Sequence, residues 1–236
     1  MPRRPSPLVR HLSTRDLGAS QTVILGELRR VILSGDAPPG SSIPVDEVAD
    51  HFGVSRIPVR EALKTLIGED LVDHRTGGGY TVAQLTIAEL EELYLVRGVL
   101  ESAAHAVAVA QATEADDALA IDAYRALDRS VTEDDPIAYH RESRNFHFAL
   151  ATPCRMHRLL GMFDSAWNVT EPVQSMSKVA TPERLQLHRD HRAMLDAFLA
   201  RDGDRLRVVT ERHNAQLDHV IAALPTDTGM FRWTGG

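Results

Sequence analysis

At 236 residues, with 43% hydrophobic residues and a net charge of −7, the chain has room for two modest domains with ordinary cores. Its lone cysteine, Cys154, excludes an internal disulfide framework and suits a reducing, cytoplasmic setting. No apolar run reaches the ~18 residues expected of a membrane helix, and Arg3 and Arg4 are not followed by the apolar stretch of a secretory signal.

Charge is unevenly spread. Up to Val82 the chain holds ten Lys/Arg and ten Asp/Glu, so its first third is neutral and the acidity lies downstream. Local basic surface governs phosphate binding more than total charge does. Residues 1–18, with Arg3, Arg4, Arg10 and Arg15 among prolines, are expected to form a flexible basic arm.

A small winged helix-turn-helix domain is predicted over residues 19–84. Ile24, Leu28, Val31 and Ile32 mark a first helix, and Ala37-Pro38-Pro39-Gly40 separates it from the second. Val45, Val48, Ala49 and Phe52 give that second helix, ending at Gly53. In the run Gly53 to Leu63, GVSRIPVREAL, Ser55 is placed as an N-cap and Pro58 falls in the first turn of a third helix. Val59, Ala62, Leu63, Leu66 and Ile67 form its inner stripe, with Arg56, Arg60 and Lys64 four apart on the other side. Guanidinium groups near a helix N-terminus suit a major groove, where Arg bonds a guanine edge or a phosphate. Leu71-Val72 and Tyr80-Thr81-Val82 then flank Thr76-Gly77-Gly78-Gly79 as a hairpin with a glycine tip.

From 85 to 224 the pattern is an all-helical bundle, with an untethered tail after it at 225–236. Thr86-x-x-Glu89 reads as a capping box opening a helix with Leu93, Val96, Leu100, Ala104 and Val107 inside. Thr113-x-x-Asp116 opens a second helix carrying Leu119, Ala123 and Leu127. Asp135-Pro136, Thr152-Pro153 and Thr181-Pro182 each read as a cap plus first-turn proline, and a sixth helix starts after Asp202-Gly203-Asp204. The fold class is therefore mainly α, a winged helix-turn-helix followed by a helical bundle.

His147, His188, His191 and His213 fall on three of these helices, and imidazoles from facing helices can converge on one cation. Ordinary surface or hydrogen-bonded core histidines are the alternative in a chain with 11 of them.

Residues Ile24 to Val82 resemble the DNA-binding domain of the GntR family of bacterial transcription regulators. The resemblance rests on Ile32-Leu33-Ser34-Gly35, Pro39-Gly40, the Gly53 to Leu63 run, Asp70-Leu71-Val72 and the glycine wing. It implies that Ser55, Arg56, Arg60 and Lys64 face double-stranded operator DNA, and that Gly78 and Gly79 approach the minor groove. Family members often carry Thr where this chain has Ile57. Asn145-Phe146-His147, His191 to Ala197 and His213 resemble the FCD ligand-binding domain of the FadR subfamily, with six helices fitting its VanR-like form. That likeness implies a divalent metal, zinc, manganese or nickel, held by His147, His191 and His213. The usual fourth ligand, an Asp, is Ser143 here, a weak neutral substitute. His188 is then a candidate to complete the set. Alternatively the imidazoles hold an acid directly. Arg97 matches an arginine common in such domains, and either anchors an acidic effector or pairs with Glu101.

These features predict a homodimeric regulator whose operator binding answers to a small carboxylate metabolite. The alternatives are a metal-dependent enzyme using a histidine-bound water, or a regulator that senses the ion itself. No carboxylate beside the histidines stands out in the sequence as a general base.

Overall fold

The computed structural model describes residues 6–12, 19–225 and 230–232. The chain divides into two compact units, Met1–Thr86 with Asn168–Val173 and Thr226–Gly236, and Ile87–Trp167 with Gln174–Pro225.

The first unit holds α1 (Pro7–Arg10), α2 (Gln21–Leu33), β1 (Ser42–Ile43), α3 (Val45–Phe52), α4 (Arg56–Gly68), β2 (Val72–Arg75) and β3 (Gly79–Val82). α2 packs on α4 through Ile24, Leu28, Val31, Val59, Leu63 and Leu66, all inaccessible to solvent. Gly53 ends α3 in the left-handed region at φ 63°, where a side chain would strain the turn. β2 and β3 pair antiparallel, with Val72 opposite Val82 and Arg75 opposite Gly79. A third strand, β1, pairs with the other edge of β3. Its two residues are too short a run for alternation to reveal.

Two expected loose segments carry packed residues. Within the arm, Ser6 caps α1 by accepting from the Val9 amide, and Leu8 and Leu12 sit in the domain core. Apolar residues four apart fix this segment where its basic composition suggested freedom. The rest of the arm lies outside the described residues. In the tail, Phe231 is buried and the Arg232 amide donates to the Leu85 carbonyl at 2.8 Å.

The second unit is helical: α5 (Ile87–Gln111), α6 (Glu114–Thr132), α7 (Pro136–Ala151), α8 (His157–Thr170), the short α9 (Ser175–Lys178), α10 (Thr181–Leu199) and α11 (Gly203–Ala222). Thr113 and Asp116 form the reciprocal capping box at α6, and Asp135 caps α7 by accepting from the Ile137 and Ala138 amides. Thr152-Pro153 behaves otherwise. The Thr152 hydroxyl donates back to the Phe148 carbonyl at 2.6 Å, a 3₁₀ turn comes next, and α8 starts only at His157. At α10 the cap is Ala180, one residue before the expected Thr181.

The long helix α5 departs most from its predicted stripe. It buries Leu90, Tyr94, Arg97, Glu101, Ala104, His105 and Ala108, while Leu95, Val96 and Val99 are exposed. Two ionisable residues and a histidine thus occupy the inner face, because that face lines a polar site. Similarly, α6 buries Ala120 and leaves Leu119 exposed. α5 is also long and apolar enough to cross a membrane by length and composition, with mean hydropathy 1.3. Arg97 and Glu101 interrupt the run in sequence and so hid this property. Both are engaged with neighbours inside the helical unit.

Candidate functional site

α4 carries the residues expected to face DNA. Ser55 takes the N-cap position with extended backbone, but its hydroxyl makes no capping bond, contrary to expectation. It sits on the same exposed end as Arg56. Arg56, Arg60 and Lys64 are all exposed, with Ile57 between them 71% exposed. Their electrostatic states differ. Arg56 pairs with Asp46, and Lys64 with Glu61 at 2.7 Å. Arg60 has no carboxylate partner among the described residues. In the wing, Gly77 and Gly79 hold φ of 79° and 77°, and the Gly78 amide donates to the Arg75 carbonyl at 2.9 Å. Arg75 is therefore an exposed cation at the base of the wing turn. The sequence reading missed it, although a cation just before a glycine turn is a usable signal.

The second site lies inside the helical unit. His147 on α7, His191 on α10 and His213 on α11 are 3%, 1% and 2% exposed. One ring nitrogen from each lies within 4.8 Å of the others. His147 Nε2 and His191 Nε2 are 3.2 Å apart. Nδ1 of His191 and Nδ1 of His213 are buried without hydrogen-bond partners. Burial, reinforced by the neighbouring imidazoles, holds His191 well below the usual histidine pKa and His213 at about 3. Imidazoles with converging lone pairs fit a divalent cation, which would draw electron density from a bound oxygen and attract anions.

Ser143, one turn before His147, lines the same space, as do Arg97, Tyr94, Tyr139 and Trp167. The Arg97 guanidinium lies over the Trp167 ring at 3.2 Å and near the Tyr94 ring at 4.3 Å. It does not take Glu101, which instead accepts from His147 Nδ1 and lies 3.6 Å from His105 Nε2. Burial pushes the Glu101 carboxyl up, but His147, His105 and His213 pull it down to about 2. Among the described residues Asp190 is a second nearby carboxylate, its Oδ1 held by Arg212 and its Oδ2 4.0 Å from His213 Nδ1. Two carboxylates thus flank the histidines, where the sequence suggested none. Glu101 comes from another helix, and Asp190 adjoins His191 in the chain yet meets the ring of His213 on α11, so spacing could not find either.

His188 does not join the cluster. Its Nε2 faces the Asp128 carboxylate at 3.0 Å and the Tyr124 hydroxyl at 3.3 Å, and its ring stacks on Tyr124. Three residues along a helix is a rotation of about 300°, which here turns it towards α6. The open space between the three imidazoles and Arg97 has room for about one water or ion.

With this geometry in view, comparison with known proteins is direct. Residues 21–82 match the bacterial regulatory proteins of the gntR family, and residues 92–216 match the FCD domain. The chain belongs to the GntR family of transcription regulators, with an FCD domain behind its DNA-binding domain. The HTH-type transcriptional regulator Mce2R of Mycobacterium tuberculosis is 32% identical over 195 residues, covering 72% of this chain and 78% of that protein. McbR of Escherichia coli is 25% identical over 183 residues, covering 77% and 83%. The solved structure of E. coli McbR/YncC superposes with a TM-score of 0.73 at 22% identity, covering 86% of this chain and 98% of that one. A transcriptional regulator GntR from Rhodococcus sp. RHA1 gives 0.75 at 23% identity, covering 87% and 99%. Families and relatives alike are transcription regulators, which sets the enzyme alternative aside.

Proposed function

We propose that this protein is a cytoplasmic, homodimeric repressor or activator whose grip on operator DNA is set by a small carboxylate held at a metal bound by His147, His191 and His213. One observation carries the reading: three buried imidazoles converge beside Arg97 and the uncharged Ser143. A metal there lacks the carboxylate ligand usual in such domains. With Ser143 in place of a ligand carboxylate, a coordination position would be left for an acid to take. Arg97 lines the same space and is placed to bond the acid's second oxygen. The acid switches DNA binding only by the difference in its affinity for the DNA-competent and incompetent forms. On α4, Arg56, Arg60 and Lys64 supply base and phosphate contacts, and Gly78 and Gly79 let the wing approach the backbone. The exposed stripe Leu95, Val96 and Val99 on α5 supports dimer formation through the helical domain.

The narrowness of the space favours a second reading, in which the ion alone is the effector. Titrating Zn²⁺, Mn²⁺ or Ni²⁺ into an operator-binding assay, with and without a panel of mono- and dicarboxylic acids, separates the two. Metal alone changing DNA affinity favours ion sensing, and a change only with acid present favours the metabolite. No stoichiometric metal in the replete protein would overturn both.

A further inference from the structure

We infer that Glu101 is the positioning carboxylate of the histidine cluster, holding His147 in its Nδ1–H tautomer and so turning the Nε2 lone pair towards the point shared with His191 and His213. This rests on the metal reading above for its consequence, though not for its geometry.

Glu101 is 4% exposed and its carboxyl is in hydrogen-bond contact with His147 Nδ1. A carboxylate without a proton can only accept, so the hydrogen must be on the imidazole. A neutral imidazole protonated at Nδ1 bears its lone pair on Nε2. That atom is the one 3.2 Å from His191 Nε2, so His191 supplies the single hydrogen between the two rings. A cation replacing that hydrogen finds two lone pairs already aimed at it. With the opposite tautomer, the lone pair of His147 would sit on Nδ1 facing Glu101, and its Nε2 would point a hydrogen, not a lone pair, at the shared point.

Charge points the same way. Ser143 brings none, and Asp190, with its Oδ1 held by Arg212, reaches His213 Nδ1 only at 4.0 Å. Among the described residues Glu101 takes no Lys or Arg bond; its partners are His147 and, at longer range, His105, whose other nitrogen lies 3.2 Å from the Thr210 hydroxyl. The negative charge that a ligand Asp on α7 would have supplied therefore comes from α5, one ring further out. It acts through His147, because Glu101 lies behind Nδ1 and outside the group of converging ligand atoms. Relative to a site with a carboxylate ligand, the same charge is kept close while a coordination position is left to the effector.

The test uses the full-length protein, stripped of metal and labelled with ¹⁵N at histidine. Long-range ¹H–¹⁵N correlation spectra should show His147 as the Nδ1–H tautomer in the wild type, with that signature lost or mixed in Glu101→Gln. Zn²⁺ titration should then show Glu101→Gln binding about 10- to 100-fold more weakly, with His191→Ala losing the stoichiometric ion. Glu101→Asp keeps the charge but draws it back by one methylene, and should fall between. It also serves if Glu101→Gln does not fold. A wild-type tautomer and wild-type Zn²⁺ affinity in the folded Glu101 variants overturn the inference. Failure of the metal reading looks different. The wild type then binds no Zn²⁺, while the tautomer comparison still decides whether Glu101 positions the ring.

Discussion

Arg60→Ala is the sharpest probe of the reading face, because the three cations on α4 enter the complex from different states. Arg56 must loosen its pair with Asp46, and Lys64 its pair with Glu61, before either turns fully to DNA. Exposed, solvent-screened pairs of this kind contribute little, so only a small part of a DNA contact would be offset for those two. Arg60 has no such partner among the described residues, so a contact it makes to DNA would not be offset in this way. Its removal should cost ~1–3 kcal/mol, or about 5- to 150-fold in operator affinity. Arg56→Ala and Lys64→Ala should cost less, and Asp46→Asn should tighten binding slightly. Stability should change by no more than ~0.5 kcal/mol, since the side chain is exposed. The assay is fluorescence anisotropy on an operator selected from random duplexes, run against unrelated DNA at several salt concentrations. Loss confined to the operator marks a base contact, whereas uniform loss with a salt slope lower by about one marks a phosphate. A folded Arg60→Ala protein with unchanged affinity and salt slope would refute the assignment of this face.

Three further outcomes are expected. Ser143→Asp adds an anionic oxygen one turn from His147 and should tighten metal binding while weakening the response to acids, measured by calorimetry; unchanged metal affinity would count against Ser143 facing the ion. Val99→Glu places a charge in the exposed stripe of α5 and should shift the protein from dimer to monomer in sedimentation velocity at micromolar concentration; a variant that stays dimeric, or a wild type already monomeric, would sink this seam. The metal-free protein should lose stability as pH falls from about 6.5 towards 3. In that range the unfolded chain binds protons at His191 and His213 while the folded chain, with both pKa values depressed, does not. Each histidine adds a slope of up to ~1.4 kcal/mol per pH unit. Glu101, also depressed, contributes stability that is lost only from about 4.5 down to 2, so urea midpoints between pH 6.5 and 4.5 report the histidines. A flat profile there would mean that the imidazoles are not held neutral. If the cluster binds a metal, the same burial should let it do so below the ~6 expected of unperturbed histidines, which a Zn²⁺ titration across pH checks.

The three main helices and the β2–β3 hairpin of the first domain were readable because their signals are local, while the two-residue β1 and the packing of Leu8 and Leu12 were not. A left-handed Gly53, a proline in the first turn and a glycine wing act through backbone preferences that need no knowledge of distant neighbours. The histidine cluster was half readable. Spacing and order singled out His147, His191 and His213, yet also offered His188, which the rotation of α10 sends to Tyr124 and Asp128. Glu101 was visible only as an i,i+4 partner for Arg97, since its true partner is 46 residues away on α7. Hydrogen bonds across that separation leave no periodic trace in a sequence.

The failure on α5 has a single cause that bears on function. Hydrophobic periodicity assumes that the apolar stripe is the buried one. On α5 the stripe with Leu95, Val96 and Val99 is exposed, and Arg97, Glu101 and His105 point inward. Burying these groups is costly unless each finds a partner, and each does: aromatic rings for Arg97, His147 for Glu101, Thr210 for His105. A helix that needed only to fill a core would carry the reverse pattern. One that must build a polar cavity on one side and offer an apolar surface on the other carries this one. On the proposed reading, a ligand that displaces Arg97 or Glu101 acts on the same 25-residue helix that carries the apolar face. If that face joins two copies, the ligand cavity and the dimer seam lie one helix diameter apart, ~10 Å. The spacing of the two reading helices in a dimer would then be coupled to what occupies the cavity.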